Sequence, residues 1–239
     1  MQRYFARMED HKALLSNEDC HHLRDVVRIR VGEEVEIVAE DGVYLCRIAS
    51  LNPFLIEEIA KIAENREMEN PLTIAWSLLK GENNDWIVMK GTEIGATSFL
   101  PFLSKRSVVK AEIGEEDNRL LRMRRIAKES AQQCRRQIVP EVQSYRKYLD
   151  VIEDSYDIKL FAYEGLSGKG LTIPEALASH QKGESILLLI GPEGGFTPEE
   201  AKLAEEKGFL SVSLGRRILR AETAAIYGAS LISSWSELL

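Results

Sequence analysis

Cysteine is scarce in this sequence. Its 239 residues contain three, Cys20, Cys46 and Cys134, widely spaced and with no C-x-x-C pair. That spacing argues against a disulfide framework and offers no ligand set for structural zinc. Reduced thiols in a cytoplasmic protein are the expectation. Histidine numbers four, and the adjacent His21 and His22 have no thiol or acidic partner at ligand spacing, so no metal is expected. Long apolar runs are missing too. The longest aliphatic run is Ile186-Leu187-Leu188-Leu189-Ile190, against the roughly 18 residues a membrane helix needs. Met1-Gln2-Arg3-Tyr4-Phe5 leads into no apolar stretch, so neither a signal peptide nor a membrane partner is expected. No G-x-S-x-G nucleophile elbow occurs. Positive charge is the minority sign, with 31 Lys and Arg against 38 Asp and Glu and a net charge of −7. Taken whole, that balance speaks against nucleic acid, but phosphate contacts are made by local patches.

The charge is in fact uneven. Residues 1–70 carry a balance of −6, residues 71–150 one of +4 and residues 151–239 one of −5. Hydrophobic residues make up 44%, enough for a core and too many for a disordered chain. Residues 1–70 read as a small β-rich module. A short helix over 21–28 places Leu23, Val26 and Val27 on one face. Alternation at Val35-Glu36-Ile37-Val38, the turn signal Asp41-Gly42 and strands over 44–48 and 54–62 complete it. A polar stretch over 64–71 ending in Pro71 marks the linker. Beyond it strands alternate with helices, which argues for a parallel α/β sheet. The expected strands lie at 72–79, 99–103, 158–163, 185–190 and 210–214. The expected helices lie at 85–94, 118–138, 174–179, 198–207 and 221–235. The longest carries an apolar stripe of Leu120, Met123, Ala127, Ala131, Cys134 and Ile138.

Three features carry chemistry. In the first, the apolar strand over 185–190 runs into Gly191-Pro192-Glu193-Gly194-Gly195-Phe196. Open α/β sheets bind ligands at the carboxyl ends of strands, and glycine lets backbone approach a ligand closely. The turn lacks the Lys-Ser/Thr of a P-loop and the spacing of a dinucleotide fingerprint. Its backbone can hydrogen-bond the edge of an adenine, or it can be a tight turn without a ligand. The second feature is Leu214-Gly215-Arg216-Arg217-Ile218-Leu219-Arg220-Ala221-Glu222-Thr223, another strand ending in glycine before a helix, where the dipole favours the carboxylate of Glu222. Here the alternative is a capped helix with solvated arginines. The third is the 118–138 helix, whose Arg119, Arg122, Arg124, Arg125, Lys128, Arg135 and Arg136 face a single acid, Glu129. A solvated face is normally mixed in sign, so tracking of a phosphate backbone is the better account. Lys80, Lys105 and Arg106 add to it, and His22, Arg24, Arg28 and Arg30 can extend the surface onto the small module.

The two glycine motifs, taken together and in order, resemble those of the bacterial 16S ribosomal RNA uridine N3-methyltransferase family, of the SPOUT class. Weaker matches run along the chain: His22-Leu23 with Val26-Val27-Arg28, Lys90 with Thr92-Glu93-Ile94-Gly95, and Ala131-Gln132-Gln133-Cys134-Arg135-Arg136 with Pro140. The departures are mild, Cys134 standing where serine is common and Ala221 where threonine is common. The resemblance implies a PUA-like β-barrel over 1–70 that helps hold RNA, and a SPOUT-type α/β methyltransferase domain with a deep trefoil knot over 71–239. It implies S-adenosyl-L-methionine as methyl donor, a homodimer, and a uridine of 16S rRNA, free or in the assembled small subunit, as target. Phe161, Ala162, Tyr163, Ile190, Gly191, Gly195, Leu214, Gly215, Ile218, Leu219 and Thr223 match donor-binding positions. Arg220 and Glu222 match the polar positions nearest the methyl group. His22, Arg24, Arg28, Arg106, Arg125, Arg135 and Arg136 are the expected RNA contacts. The rival readings are a ribose 2′-O-methyltransferase of the same class and a non-catalytic RNA-binding or ribosome-assembly factor.

Overall fold

The computed structural model of the chain describes residues 1–166 and 170–238. They form two compact units. One comprises Met1–Glu67 with Ala131–Ile138, and the other Met68–Ser130 with the remainder from Val139.

The first unit is a six-stranded sheet built from β1 (Gln2–Phe5), β2 (Arg7–Glu9), β3 (Lys12–Leu14), β4 (Glu34–Ala39), β5 (Gly42–Leu51) and β6 (Phe54–Ile62). The strand order is β1-β4-β5-β6-β3-β2. Its two ends, β1 and β2, are consecutive in the chain with only Ala6 between them, and the Ala6 N–H donates to the Val38 carbonyl at 3.0 Å. The sheet therefore curls until its edges meet, which leaves little unpaired backbone at either edge. Tyr4, Val35, Ile37, Cys46, Ile48 and Ile56 fill the interior. The β4–β5 hairpin turns at Glu40 and Asp41, with Gly42 already paired to Ala39. Helix α1 (Asn17–His21) is capped by the Ser16 side chain, which accepts from the Asp19 N–H. A π-helical turn over His22–Val27 follows and ends at Arg28 in the left-handed region. The wider turn rotates the side chains away from the expected face: Leu23 is fully buried, but Val26 is 63% exposed.

The second unit holds β7 (Leu72–Ser77), α2 (Asn83–Ile94), β8 (Ser98–Leu103), α3 (Asn118–Gln133), β9 (Glu141–Val142), β10 (Arg146–Lys147), α4 (Tyr148–Ile152), β11 (Ile158–Ala162), α5 (Ile173–Leu177), β12 (Ile186–Ile190), α6 (Pro198–Glu206), β13 (Leu210–Val212) and α7 (Ala221–Leu238). Every strand pair is parallel, in the order β10-β8-β7-β12-β11-β13, with β9 also beside β8. The apolar run of β12 is buried on both faces, as a central parallel strand requires. Ile186, Leu188 and Ile190 pack into one core with α2, α3, α5 and α7, while Leu187 and Leu189 pack into the other with α4 and α6. Each such side chain contributes roughly 1.5–3 kcal/mol through burial. Thr172 and Thr197 open α5 and α6 with capping boxes, each followed by proline in the first turn.

Helix α3 ends earlier than its charge and apolar pattern predict. Leu120, Met123, Ala127 and Ala131 form the buried stripe, but the helix stops at Gln133. Arg135 takes the left-handed conformation with φ of 62°. The Arg136 N–H then bonds the Ala131 carbonyl at 2.9 Å, which closes a Schellman-type end. An arginine occupies the position that glycine normally marks, so the stop has no sequence signal. Cys134 and Ile138 consequently lie beyond the helix.

The terminus is held in the first unit by ion pairs. The Arg136 guanidinium donates through Nε to Glu67 at 3.0 Å, and its side chain is only 4% exposed. The Gln137 N–H donates to the same carboxylate at 2.7 Å. Arg3 donates to Glu36 at 2.9 Å and to the Arg135 carbonyl at 2.7 Å, and it also pairs with Glu64. These bonds tie residues 131–138 to strands β1 and β4 and to residues 64–67, so a single cut at residue 70 does not divide the chain into its units. Arg136 is thereby a buried structural residue and not the exposed RNA contact expected from the sequence. Arg136→Ala leaves the Glu67 carboxylate without its guanidinium. It should cost about 3 kcal/mol in urea unfolding, and an unchanged midpoint would contradict the assignment.

Candidate active site

Three adjacent strands end at one level. Ala162, the last residue of β11, is in register with Ile190, the last of β12, on one side and with Val212, the last of β13, on the other. The chain leaves β12 through the glycine turn at 191–196 and leaves β13 through the loop at 213–220. Tyr163 and Glu164 continue β11 between them. These segments and the start of α7 enclose a cavity of about 600 Å³, to which Asn83 of α2 also contributes.

The first loop is pinned from below by aromatic rings. Phe196 is buried, with its ring centroid 4.6 Å from Phe161, 5.7 Å from Tyr148 and 6.4 Å from Phe102. A Cβ on Gly191 would come within 2.8 Å of the Phe196 ring, so glycine is needed there for packing. Gly195 has φ of 65°, and a Cβ on it would collide with the Glu164 carboxylate. The buried Glu200 carboxylate accepts the Thr197 and Lys105 N–H groups, both at 2.9 Å. It thereby ties the glycine turn to the segment after β8. Tyr148 donates its hydroxyl to the Glu200 carbonyl at 2.6 Å. Burial, with the Glu200 charge adding, pushes this phenol above its ordinary range, which keeps it a donor. Asn84 accepts from the Trp76 indole at 2.9 Å and from the Leu79 N–H at 3.0 Å, and so fixes the start of α2 beside Asn83.

Of the expected donor-binding residues, Ala162, Tyr163, Ile190, Gly191, Gly195, Leu214, Gly215, Ile218 and Leu219 line the cavity, together with Arg220 and Glu222. Phe161 and Thr223 do not. Phe161 is fully buried under the floor, because strand alternation turns it away from Ala162. Thr223 lies on an exposed side of the first turn of α7. The cavity also takes in Glu193, Ser213 and Arg217, from within or beside the two glycine motifs, and Asn83 and Glu164, which sequence spacing alone did not single out. Arg220 sits where α7 begins, its carbonyl accepting the Ala224 N–H at 2.7 Å. Arg220 is exposed and immediately precedes the positive end of an 18-residue helix.

The basic surface is smaller than the sequence suggests, because acids from other elements meet several arginines. Arg122 pairs with Asp85 of α2 at 2.8 Å. Arg124 pairs with Glu116 and donates to the Val142 carbonyl at 3.1 Å. Arg119 lies 3.9 Å from Asp117. Arg125 stays largely exposed, 3.6 Å from Glu129. Arg135 is half-exposed beside Glu36. Arg106 donates to the Gly194 carbonyl at 2.9 Å, which brings it to the glycine turn. On the first unit His22, Arg24 and Arg28 are exposed. The His22 ring meets the Tyr4 hydroxyl at 2.7 Å, whose pKa burial pushes up to about 12.

Residues 66–233 match the RNA methyltransferase domain family, and residues 15–57 match the RNA methyltransferase PUA domain family. Ribosomal RNA small subunit methyltransferase E of Bacillus subtilis is 36% identical to this chain, with 100% of the chain and 98% of that protein covered. The protein of the same name from Mesomycoplasma hyopneumoniae is 33% identical over 95% and 96%. The chain belongs to the ribosomal RNA small subunit methyltransferase E family. It is accordingly an RNA methyltransferase, with a PUA-like module and a SPOUT-type α/β domain. The family member from Neisseria gonorrhoeae, solved bound to S-adenosyl methionine, superposes with a TM-score of 0.86 at 25% identity over 98% of both chains. Among the described residues no cluster suits a metal ion, and no helix is long and apolar enough to cross a membrane.

The packing of the glycine turn in this methyltransferase has a direct test. Gly191→Ala should displace Phe196 and cost about 1–3 kcal/mol, read as a lower denaturation midpoint. A variant as stable as the parent would show that the turn has slack which the ring contacts do not suggest.

Proposed function

We propose that the cavity binds S-adenosyl-L-methionine and that the enzyme methylates N3 of one uridine in 16S rRNA of the small ribosomal subunit. The observation that carries this reading is the meeting of the glycine-rich turn at 191–196 and the Gly215 loop at the common end of β11, β12 and β13, with Arg220 among the lining residues. The site fits the donor. Ile190, Leu214, Ile218 and Leu219 give apolar walls, and the glycine turns give backbone polar groups, which together suit an adenosine. Bound S-adenosyl-L-methionine supplies an electrophilic methyl group.

The chain's own task is to make N3 of uracil nucleophilic. N3 carries a proton between two carbonyls, and losing it spreads negative charge over O2 and O4. Arg220 and the N-terminus of α7 stabilise that charge together. Glu222, in the first turn of α7 and lining the same cavity, is the candidate to accept the proton or to orient Arg220. His22, Arg24 and Arg28 on the small module, with Arg106, Arg125 and Arg135, hold the RNA backbone. The protein works in the cytoplasm as a homodimer. Exposed apolar side chains near the site support a second copy: Ile218 at 78%, Trp86 of α2 at 50% and Tyr227 of α7 at 45%.

Labelled methyl transfer onto undermodified small subunits, followed by primer extension, tests the reading. N3-methylation blocks the Watson–Crick edge and should stop the polymerase at one uridine. Label without a stop would favour the ribose 2′-O alternative. Arg220→Ala should bind the donor within about threefold of the parent yet lose on the order of 10²-fold or more in transfer. Full activity would remove Arg220 from the mechanism. Arg125→Ala should weaken RNA binding and reduce the magnitude of its log–log salt slope by about 1, and an identical slope would reject a phosphate contact there.

A further inference from the structure

Three carboxylates line the cavity, Glu164, Glu193 and Glu222, against two guanidinium groups, Arg217 and Arg220. The carboxylates are placed differently. Glu193 belongs to the glycine turn after β12, and its Oε1 accepts the Lys80 N–H at 3.2 Å. Glu222 lies in the first turn of α7, where the helix terminus favours it. Glu164 is carried by the central strand of the three. It opens the 3-10 turn that follows β11 and stands between the two glycine loops. Its carboxylate rests on Gly195, in space that any side chain at 195 would occupy. The glycine turn is therefore shaped around this carboxylate.

A methyl donor of the proposed kind differs from its demethylated product in charge at one atom. The donor has a cationic sulfonium, and the product, S-adenosylhomocysteine, has a neutral thioether. The adenosine and the amino-acid group are common to both. A carboxylate on the cavity wall, as Glu164 supplies beside Gly195, lowers the energy of the cationic form and leaves the neutral one largely unaffected. The two arginines, on the 213–220 loop, have the opposite preference.

We infer that Glu164 is a donor-selecting residue, whose carboxylate on Gly195 favours the cationic methyl donor over the neutral product. This rests on the donor reading of the cavity given above. It assigns Glu164 to ligand selection and product release, and not to proton transfer.

Calorimetric titration of the intact protein with S-adenosylmethionine and, separately, with S-adenosylhomocysteine tests it without any turnover. Glu164→Gln should weaken donor binding about tenfold and product binding less than about twofold. Glu164→Asp, which keeps the charge, should recover most of the preference. Equal weakening of both ligands by Glu164→Gln would mean that the residue contacts a part common to them, such as the ribose hydroxyls or the ammonium group, and would overturn the inference. An unchanged donor-to-product ratio with Glu164→Gln overturns it equally. If the parent protein bound neither ligand, the donor reading of the cavity would fail, and the inference with it. The parent titration thus separates the two failures.

Discussion

The site depends on a register. Ala162 stands opposite both Ile190 and Val212, so β11, β12 and β13 release the chain at the same height. The loops that follow must then diverge around a common space. Parallel strands impose this geometry because each needs a crossover before the next can begin, and all their carboxyl ends fall on one edge of the sheet. The aromatic layer beneath, Phe161, Phe196, Tyr148 and Phe102, keeps the space from collapsing inward. Glu200 fixes the loop at its exit by giving its carboxylate to two backbone N–H groups. The cavity is thus positioned by three strand ends, walled by side chains and backbone of the two loops, and supported from below by buried aromatic rings.

Electrostatics are local throughout. The chain is acidic as a whole, and a subset of its acids is engaged by particular arginines. Arg3 and Arg136 are consumed inside the first unit by Glu36, Glu64 and Glu67. Asp85, Glu116 and Asp117 meet the α3 arginines. What remains exposed is a sparser set in which Arg125 and the arginines around residues 216–220 stand out. A count of basic residues along a helix therefore overstates the surface that faces RNA, because partners contributed by other elements are invisible to it.

Much of the architecture was legible. The alternation of strands and helices after Pro71 gave the parallel sheet, because buried apolar runs and capped helices both leave local signals. The two glycine loops were legible for the same reason, since a buried strand that ends in glycine marks the edge where ligands sit. Other features were not. The end of α3 is set by an arginine with positive φ and by ion pairs to residues 64–67, and neither is a local signal. Phe161 and Ala162 are neighbours in the motif, yet alternation sends one to the floor and the other to the lining. Glu164 falls outside both glycine motifs and becomes visible only once the strand order puts β11 between β12 and β13. Chain threading leaves no trace in periodicity or spacing, so a knot enters through the family resemblance alone.

The central claim is that the cavity at the shared strand ends is the donor site, and a crystal structure of this protein with S-adenosylmethionine tests it most directly. The account predicts the adenine edge hydrogen-bonded to backbone of the 191–195 and 213–219 loops, with the methyl group toward Arg220. Donor density elsewhere, or in this cavity with the methyl group turned away from Arg220, would contradict it.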